Sequence, residues 1–330
     1  MMTKDVETKD VELVQLSPRE IAQIQAVVAS VAARYRHAED AQFTSRIWRY
    51  IRELPEALLE CLYAYKYEEN NFGVLLVRGF NIDDQKIGRT PTELVCNCNN
   101  PRTLEEDIFI TLCSSVLGDL VGWRFQRNGD IINDIVPVKG HEHIQAGTSS
   151  AARLQWHVEE AFHDYRADHL ALLCLRNPTG IETTFASVAN LQLDEATREV
   201  LSQPRYIFNP YGDFVNAWAG TERYAPVLFG DCQNPYVRID PADMQARGGD
   251  STAAEALGAI VQAFNNSLRP VVLRKGDICF IDNYRVVHGR SGFTPKYDGS
   301  DRWLKRVNIV RDLRKSRDAR ASAGSRVIMQ

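Results

Sequence analysis

His157 and Glu159 stand two residues apart in Leu154-Gln155-Trp156-His157-Val158-Glu159, and their natural companion, His288, comes far downstream in Val286-Val287-His288-Gly289-Arg290. This long-range pairing constrains the fold more than anything else in the chain. In a strand, side chains at i and i+2 project to the same face, so His157 and Glu159 point together while Val158 turns into the wall behind them. A third donor must then come from another strand, and the chain has to bring two segments distant in sequence side by side. Alone, His-x-Glu is what chance puts on a half-exposed strand. His288 changes that weight, because it follows Gly276-Asp277-Ile278-Cys279-Phe280-Ile281-Asp282-Asn283, a turn leading into an alternating strand. It also precedes Gly289, where backbone can approach closely.

Two histidines and a carboxylate hold a divalent metal by one face and leave the other face open, as in non-haem Fe(II) sites. The arginines downstream extend that reading. Along Arg302-Trp303-Leu304-Lys305-Arg306-Val307-Asn308, positions 302, 304, 306 and 308 share a face, which sets Arg302 and Arg306 roughly 13 Å apart at ~3.3 Å per residue. One guanidinium can clamp the remote carboxylate of a diacid and the other the carboxylate of a second small molecule. Without the upstream ligands the same stretch would read as a solvent-facing basic edge strand. Among the other histidines, His141 and His143 form a His-x-His pair in a glycine-bounded loop with only Glu142 beside it. His163 and His169 flank Asp164 and Asp168 and read as surface or supporting groups, and His37 sits in a polar segment.

Around these residues the pattern is helical first and then strand-rich. Ser17-Pro18-Arg19-Glu20 carries a helix N-cap, a proline at the first helical position and the acid of a capping box. Leu16 and Ile21 supply a hydrophobic staple, and Ile21, Ile24, Val28 and Val31 give a helical apolar stripe. A second helix is expected over about residues 55–66, and Thr103 with Glu106 is expected to cap a third running to about Leu117. Gly73-Val74-Leu75-Leu76-Val77-Arg78-Gly79 reads as a buried strand. Further strands are expected at 123–127, 131–138, 169–175, 181–187, 235–239, 271–274, 278–282 and 302–310. Many short strands after a helical start predict a mainly β fold, a sandwich or barrel with helices packed outside. A mobile lead-in is expected over residues 1–16, which contains the direct repeat Thr3-Lys4-Asp5-Val6-Glu7 and Thr8-Lys9-Asp10-Val11-Glu12, then a single domain over 17–310. Residues 311–330, with six basic and two acidic side chains, read as a solvated tail.

Composition excludes several classes. Apolar residues make up 44% of the 330 and charged residues 25%, ordinary for a globular domain. A net charge of -4 gives no basic excess for a nucleic-acid partner. No apolar run reaches the ~18 residues expected of a membrane helix, and the charged start lacks the apolar core of a signal peptide. Seven scattered cysteines, with Cys96 and Cys98 too isolated to be half of a zinc site, fit free thiols in a reducing cytoplasm.

On WHVEEAFH, CLRNP, ETTFAS, GDICFIDNYRVVHGR and the Arg302 strand, the sequence from about Gly73 to Val310 resembles the clavaminate synthase-like Fe(II)/2-oxoglutarate-dependent oxygenases. The resemblance implies a double-stranded β-helix (jelly-roll) core, with Fe(II), 2-oxoglutarate and O2 as cofactor and cosubstrates. It implies His157, Glu159 and His288 as iron ligands, Arg302 on the far carboxylate of 2-oxoglutarate, and Thr184 on the same carboxylate, with Thr183 the one-residue alternative. Glu159 at the carboxylate position argues against a halogenase, which needs a small residue there to admit chloride.

Within that family the resemblance is strongest to hydroxylases of free amino acids that feed peptide-antibiotic assembly, above all those acting on L-arginine at Cβ, with C4 as a further position. Gln126 and Glu159 are then implied at the substrate's ammonium, Arg306 at its carboxylate and Asp240 at its guanidinium. The family's second acid near Asp240 falls on Ala242, which leaves Asp243 to substitute. A buried guanidinium needs such a carboxylate, because an unpaired buried charge is very costly. A lid is implied from about Tyr211 to Phe229. The alternatives are a hydroxylase of asparagine or of a cyclised arginine and, in another class, a zinc hydrolase. The zinc reading lacks the His-x-x-x-His helix such enzymes usually carry.

Overall fold

The computed structural model describes residues 11–69, 72–94, 100–211, 214–215 and 223–329. The chain begins with β1 (Glu12–Gln15), α1 (Pro18–Ala32), two single-turn helices α2 (Ala41–Thr44) and α3 (Trp48–Ile51), α4 (Glu56–Tyr67), β2 (Val74–Arg78), α5 (Asp84–Ile87) and α6 (Leu104–Leu117). Strands follow: β3 (Asp119–Trp123), β4 (Ile132–Ile135), β5 (Leu154–His157), β6 (His169–Arg176) and β7 (Glu182–Ser187). After α7 (Glu195–Leu201) come β8 (Tyr206–Phe208), β9 (Tyr224–Ala225), β10 (Leu228–Gly230), β11 (Pro235–Val237), β12 (Met244–Ala246) and α8 (Ser251–Ser267). The chain closes with β13 (Arg269–Val272), β14 (Ile278–Asp282), β15 (Val286–Arg290), β16 (Trp303–Val310) and β17 (Val327–Ile328).

Two sheets carry the architecture. The larger runs β1-β2-β14-β6-β16-β3-β17 with β4 also on β16, and the smaller runs β13-β7-β15-β5. Strand alternation sorts the apolar residues into layers. In β14, Ile278 and Phe280 face the helical layer with Ile24 and Val28 of α1, Leu58 and Leu62 of α4 and much of α6. Cys279 and Ile281 face inward and share a second cluster with Leu170, Leu172, Phe185, Val286 and Leu304, which come from both sheets. The smaller sheet is backed by α7 and α8, where Leu201, Ala253, Ile260 and Phe264 pack with Trp156 and Val287. Two facing sheets with helices on both outer faces make the mainly β architecture that the strand pattern predicts, in the double-stranded β-helix form that the family resemblance implies.

Local signals explain why the first helix starts where it does. The Ser17 hydroxyl accepts from Glu20 N–H at 3.3 Å, and Glu20 Oε2 accepts from Ser17 N–H at 2.7 Å. Ile24, Val28 and Val31 are fully buried beneath it, each contributing about 1.5–3 kcal/mol of transfer free energy.

Several expectations need correction. Residues 12–16 are not a loose lead-in: β1 pairs in parallel with β2, Leu13 opposite Leu76, and Leu16 N–H bonds the Arg78 carbonyl. Residues 1–10 lie outside the described residues. The segment after Arg311 is no solvated tail either. Its Arg320 is buried, its guanidinium donates to the carbonyls of Leu313, Ser322, Ala323 and Ser325, and β17 extends the larger sheet beside β3. One buried guanidinium satisfying so many carbonyls ties a polar stretch down where apolar content alone would not. Thr103 does not cap α6 by its side chain; its hydroxyl bonds Asp107 at 3.2 Å and accepts from Lys305 Nζ at 3.0 Å. The strand expected at 123–127 sits at 119–123, because the chain turns at Arg127 and Asn128, both with positive φ. Helix α8 was not anticipated; its buried stripe begins with Ala253 and Ala256, which give little polarity contrast. Cys96, Cys98 and residues 212–213 and 216–222 of the expected lid lie outside the described residues. Among the described residues no helix is long and apolar enough to cross a membrane.

Candidate active site

The pairing of β15 with β5 sets His288 directly opposite His157. Their rings lie 4.7 Å apart by centroid. The next residue has to be glycine: a Cβ on Gly289 would sit 2.8 Å from the Leu154 carbonyl oxygen. His157 Nδ1 is engaged by the Gln155 carbonyl at 2.8 Å, which turns Nε2 toward the cavity.

Glu159 comes from a different geometry than the sequence suggested. β5 ends at His157, and Glu159 stands on the turn beyond it, where Glu160 adopts φ +53°. With the ladder finished, another group has to hold the Glu159 backbone. Asn283 does so from the turn between β14 and β15. Its Oδ1 accepts from Glu159 N–H at 2.7 Å, and its Nδ2 donates to the carbonyls of Glu159 at 3.0 Å and Ala167 at 2.9 Å. Asn283 is fully buried, so all of its hydrogen-bonding capacity goes into this clamp.

One ligand atom each from His157, Glu159 and His288 lies within 4.8 Å of the others. Glu159 Oε2 is 3.7 Å from His157 Nε2 and 3.5 Å from His288 Nε2. Burial works against ionising Glu159, yet Arg306 and the two histidines hold its carboxyl well below the usual range. Burial also opposes charging His157, but the bond to Glu159 and the charge of Asp240 raise it to about 9. His288, with burial dominant, is lowered. Two imidazoles and an ionised carboxylate converging from one side suit a divalent first-row metal.

Arg302 lies on the same cavity, immediately before β16. It is buried, its Nη2 donates to the Thr183 hydroxyl at 3.2 Å, its Nε has no partner, and among the described residues it has no carboxylate partner. Burial lowers it to about 10. A second buried guanidinium, Arg290, lines the same cavity and is lowered to about 10 by burial and by Arg302. Its donors go to the Ser149 hydroxyl and to the carbonyls of Ser150 and Ala152. Two cations held without an acid fit an anion such as a carboxylate. The resemblance left Thr184 and Thr183 as alternatives, and strand parity separates the two. Adjacent strand residues face opposite ways; Thr183 lines the cavity, whereas Thr184 packs against Gly289 with its hydroxyl unpartnered.

The cavity, about 530 Å³, also takes in Gln126, Asp240, Asp243, Leu304 and Arg306. Arg302, Leu304 and Arg306 all face it, as alternation required, while Lys305 points the other way to Asp107 and Asp134. Arg306 Nη1 meets Glu159, and its Nη2 donates to Gln126 Oε1 at 3.0 Å. Gln126 Nε2 donates in turn to Glu160 Oε1 at 2.7 Å. Burial, with Glu159 beside it, pushes the Glu160 carboxyl up to about 8. Asp240 is buried and raised by that burial; Asp243, half-buried next to it, is raised for the same reason. Ala242 lines the cavity between them. From the expected lid, Tyr211 and Phe214 reach the cavity.

The remaining histidines stay apart from the cluster. His141 lines the cavity with Nδ1 on the Thr148 hydroxyl at 3.0 Å. His163 is buried among Trp123, Phe162 and Phe214, not on the surface, and His169 is buried and lowered to about 3 by burial. Sequence reasoning missed Asn283, Glu160 and Arg290. The last two stand directly beside recognised residues, Glu159 and Gly289, which was the available signal.

Residues 68–308 match the family model described as taurine catabolism dioxygenase TauD, TfdA family. The chain is 41% identical over 338 residues to the enduracididine beta-hydroxylase of Streptomyces hygroscopicus, covering 95% of this chain and 98% of that protein. It is 36% identical over 327 residues to the L-ornithine/L-arginine 3-hydroxylase of Catenulispora acidiphila, covering 92% and 95%. Among solved structures, the non-heme iron oxygenase OrfP in complex with Fe, succinate and (3S)-hydroxy-L-Arg is similar at a TM-score of 0.91 and 32% identity, covering 96% of this chain and 99% of that one.

Proposed function

The chain belongs to the taurine catabolism dioxygenase TauD, TfdA family, and from that premise we propose that it hydroxylates free L-arginine at Cβ, with Arg302 and Thr183 holding 2-oxoglutarate and His157, Glu159 and His288 holding Fe(II). It is an Fe(II)/2-oxoglutarate-dependent amino-acid hydroxylase, and membership of this family sets aside the zinc-hydrolase alternative. The observation that carries the arginine reading is a single cavity lined by the metal-ligating cluster, by Arg306 with Gln126, and by the acids Asp240 and Asp243.

When bound, Fe(II), 2-oxoglutarate and O2 supply the oxidising chemistry: 2-oxoglutarate is decarboxylated to succinate and one oxygen atom enters a substrate C–H bond. The protein's own residues choose the bond. Gln155 fixes the His157 ring, and Asn283 fixes the turn that presents Glu159. The Arg302 guanidinium and Thr183 hydroxyl bind the distal carboxylate of 2-oxoglutarate, with Arg290 adding positive charge behind them. Arg306 takes the α-carboxylate of the amino acid, and Gln126 and Glu159 take its ammonium group. Asp240, helped by Asp243 where Ala242 has no acid to offer, takes the guanidinium. Pinning the head group next to Glu159 would hold Cβ, the first side-chain carbon, close to the metal-ligating residues, and positioning of this kind is a large part of what such a site contributes. A second oxidation at C4 follows if the product rebinds slightly shifted. The product then fits the role the family resemblance implies, a building block for peptide-antibiotic assembly.

A cyclised arginine is the second reading, favoured by the identity to the enduracididine hydroxylase. The deciding experiment is succinate release with added Fe(II) across a panel of L-arginine, a cyclised arginine, L-ornithine and L-asparagine, with mass spectrometry of each product. L-arginine is expected to give the fastest coupled turnover and a product heavier by one oxygen. Succinate release no faster with L-arginine than with no amino acid overturns the assignment.

A further inference from the structure

Glu160 takes no part in the reaction as set out above, and the geometry points to a definite task for it: Glu160 is the positioning residue that fixes the side-chain amide of Gln126 for the substrate's ammonium group. This rests on the amino-acid reading of the site. Glu160 is fully buried and does not line the cavity, whereas Gln126 does. Its backbone is left-handed at φ +53°, a conformation that a residue with a side chain keeps only where its surroundings over-determine it. Among the described residues it has no ion-pair partner, and a buried polar group is costly unless it is hydrogen-bonded. Such a group is kept for what it binds.

Glu160 Oε1 binds one end of an amide, and the Tyr211 hydroxyl also bears on the carboxyl group. A glutamine side chain donates from nitrogen and accepts at oxygen, and the two ends look alike in shape. With Nε2 committed to Glu160 Oε1 at 2.7 Å, Oε1 must face the other way, where Arg306 Nη2 meets it at 3.0 Å. Arg306 Nη1 then reaches Glu159. The series Glu160, Gln126, Arg306, Glu159 alternates acceptor and donor along its length, and it presents to the cavity an amide oxygen that can accept from an ammonium. Without the carboxyl group of Glu160 only the Arg306 contact opposes turning of the amide, and a turned NH2 would face both the guanidinium and the substrate's cation. Glu160 therefore acts on amine recognition through Gln126, without touching the substrate.

The test compares Glu160→Leu, which removes the acceptor, with Glu160→Gln, which keeps a carbonyl oxygen for Gln126. Binding of L-arginine and of its deaminated analogue 5-guanidinopentanoate is measured by calorimetry on protein loaded with Mn(II) and 2-oxoglutarate, beside steady-state kinetics. Expected for Glu160→Leu are a Kd and KM for L-arginine raised about tenfold or more, a kcat and a KM for 2-oxoglutarate close to wild type, and an unchanged Kd for the deaminated analogue. Glu160→Gln should recover most of the L-arginine affinity. Equal weakening of both ligands in Glu160→Leu would reduce Glu160 to a packing role and overturn the proposal, as would unaltered L-arginine binding. Failure of the wild type itself to bind L-arginine counts against the substrate reading alone. In that case the Gln126 side-chain amide signal decides: its protection from exchange, read by NMR without any substrate, is lost in Glu160→Leu and kept in Glu160→Gln if the clamp exists, and unchanged in both if it does not.

Discussion

Arg302 donates from Nη2 to the hydroxyl of Thr183 at 3.2 Å, while the hydroxyl of Thr184, the next residue along the strand, has no partner at all. If this pair holds the distal carboxylate of 2-oxoglutarate, the two threonines must respond differently to the same substitution. Thr183→Val loses a hydrogen bond to a charged group and should raise the KM for 2-oxoglutarate about tenfold. Thr184→Val should leave that KM unchanged and hold or raise Tm, since it removes a buried orphan hydroxyl. Arg302→Leu should cost about 2–5 kcal/mol of cosubstrate binding, a loss of roughly thirtyfold or more. Succinate release against 2-oxoglutarate concentration reads all three. Equal effects of the two valine variants would sink the assignment.

Asn283 supports the cluster of His157, Glu159 and His288 without belonging to it. Its three hydrogen bonds hold the backbone on which Glu159 turns toward the histidines. Groups that orient ligands in this way typically account for 10–100-fold in metal affinity. Asn283→Leu, similar in branched shape but without hydrogen-bonding atoms, should weaken Co(II) binding to the metal-free protein by about that factor. Retained far-UV circular dichroism would show that the change is local. Wild-type affinity in a folded Asn283→Leu protein would mean that the turn is held by packing alone.

The convergence of His157, Glu159 and His288 was legible because its signal is chemical: two imidazoles and a carboxylate are a donor set that suits a divalent metal. The alternation of Arg302, Leu304 and Arg306 was legible because strand periodicity is rigid. Thr183 and Thr184 were not distinguishable in the same way, since two adjacent threonines differ only in parity, and parity is set by the pairing of Thr183 with Arg290 across β7 and β15. Glu160 was hidden by the assumption that the strand continues through Glu159; the positive φ that ends it is a tertiary outcome, enforced by Asn283 from a turn more than a hundred residues away. The order of residues 311–329 was hidden as well, because the interaction that holds it is one arginine, Arg320, saturating carbonyls, and nothing in a basic, weakly apolar stretch announces which cation will be buried.

Asp240 and Asp243 should not be equivalent. Asp240 is buried and Asp243 half-buried, so a guanidinium placed between them loses more when the deeper acid is neutralised. Asp240→Asn should lower kcat/KM for L-arginine by about 2–5 kcal/mol in activation free energy, and Asp243→Asn by about 1 kcal/mol. Neither should matter for L-citrulline, whose distal group is neutral. Comparing kcat/KM for the two amino acids in each variant isolates the charge. Equal losses for L-arginine and L-citrulline would mean that the acids shape the cavity and do not read the guanidinium.

Away from the site, Glu39 makes a contribution to the stability of the fold that should fall as pH rises. Burial pushes its carboxyl up to about 7 from an ordinary 4.5, against the opposing bond from Ile132 N–H at 2.9 Å. Below the ordinary value both folded and unfolded chains hold the proton, and Glu39 has no effect. Between 4.5 and 7 the unfolded chain ionises while the folded one keeps its proton, so stability drops across that interval, and above 7 the full cost of a buried charge remains. Glu106, also raised to about 7 by burial, acts in the same direction. Glu39→Gln keeps a carbonyl oxygen for Ile132 and removes the charge. It should therefore gain on the order of 2 kcal/mol at about pH 8 and nothing at about pH 4. Urea unfolding of wild type and variant across that range measures the difference, and a gain independent of pH would show that packing, not ionisation, is responsible.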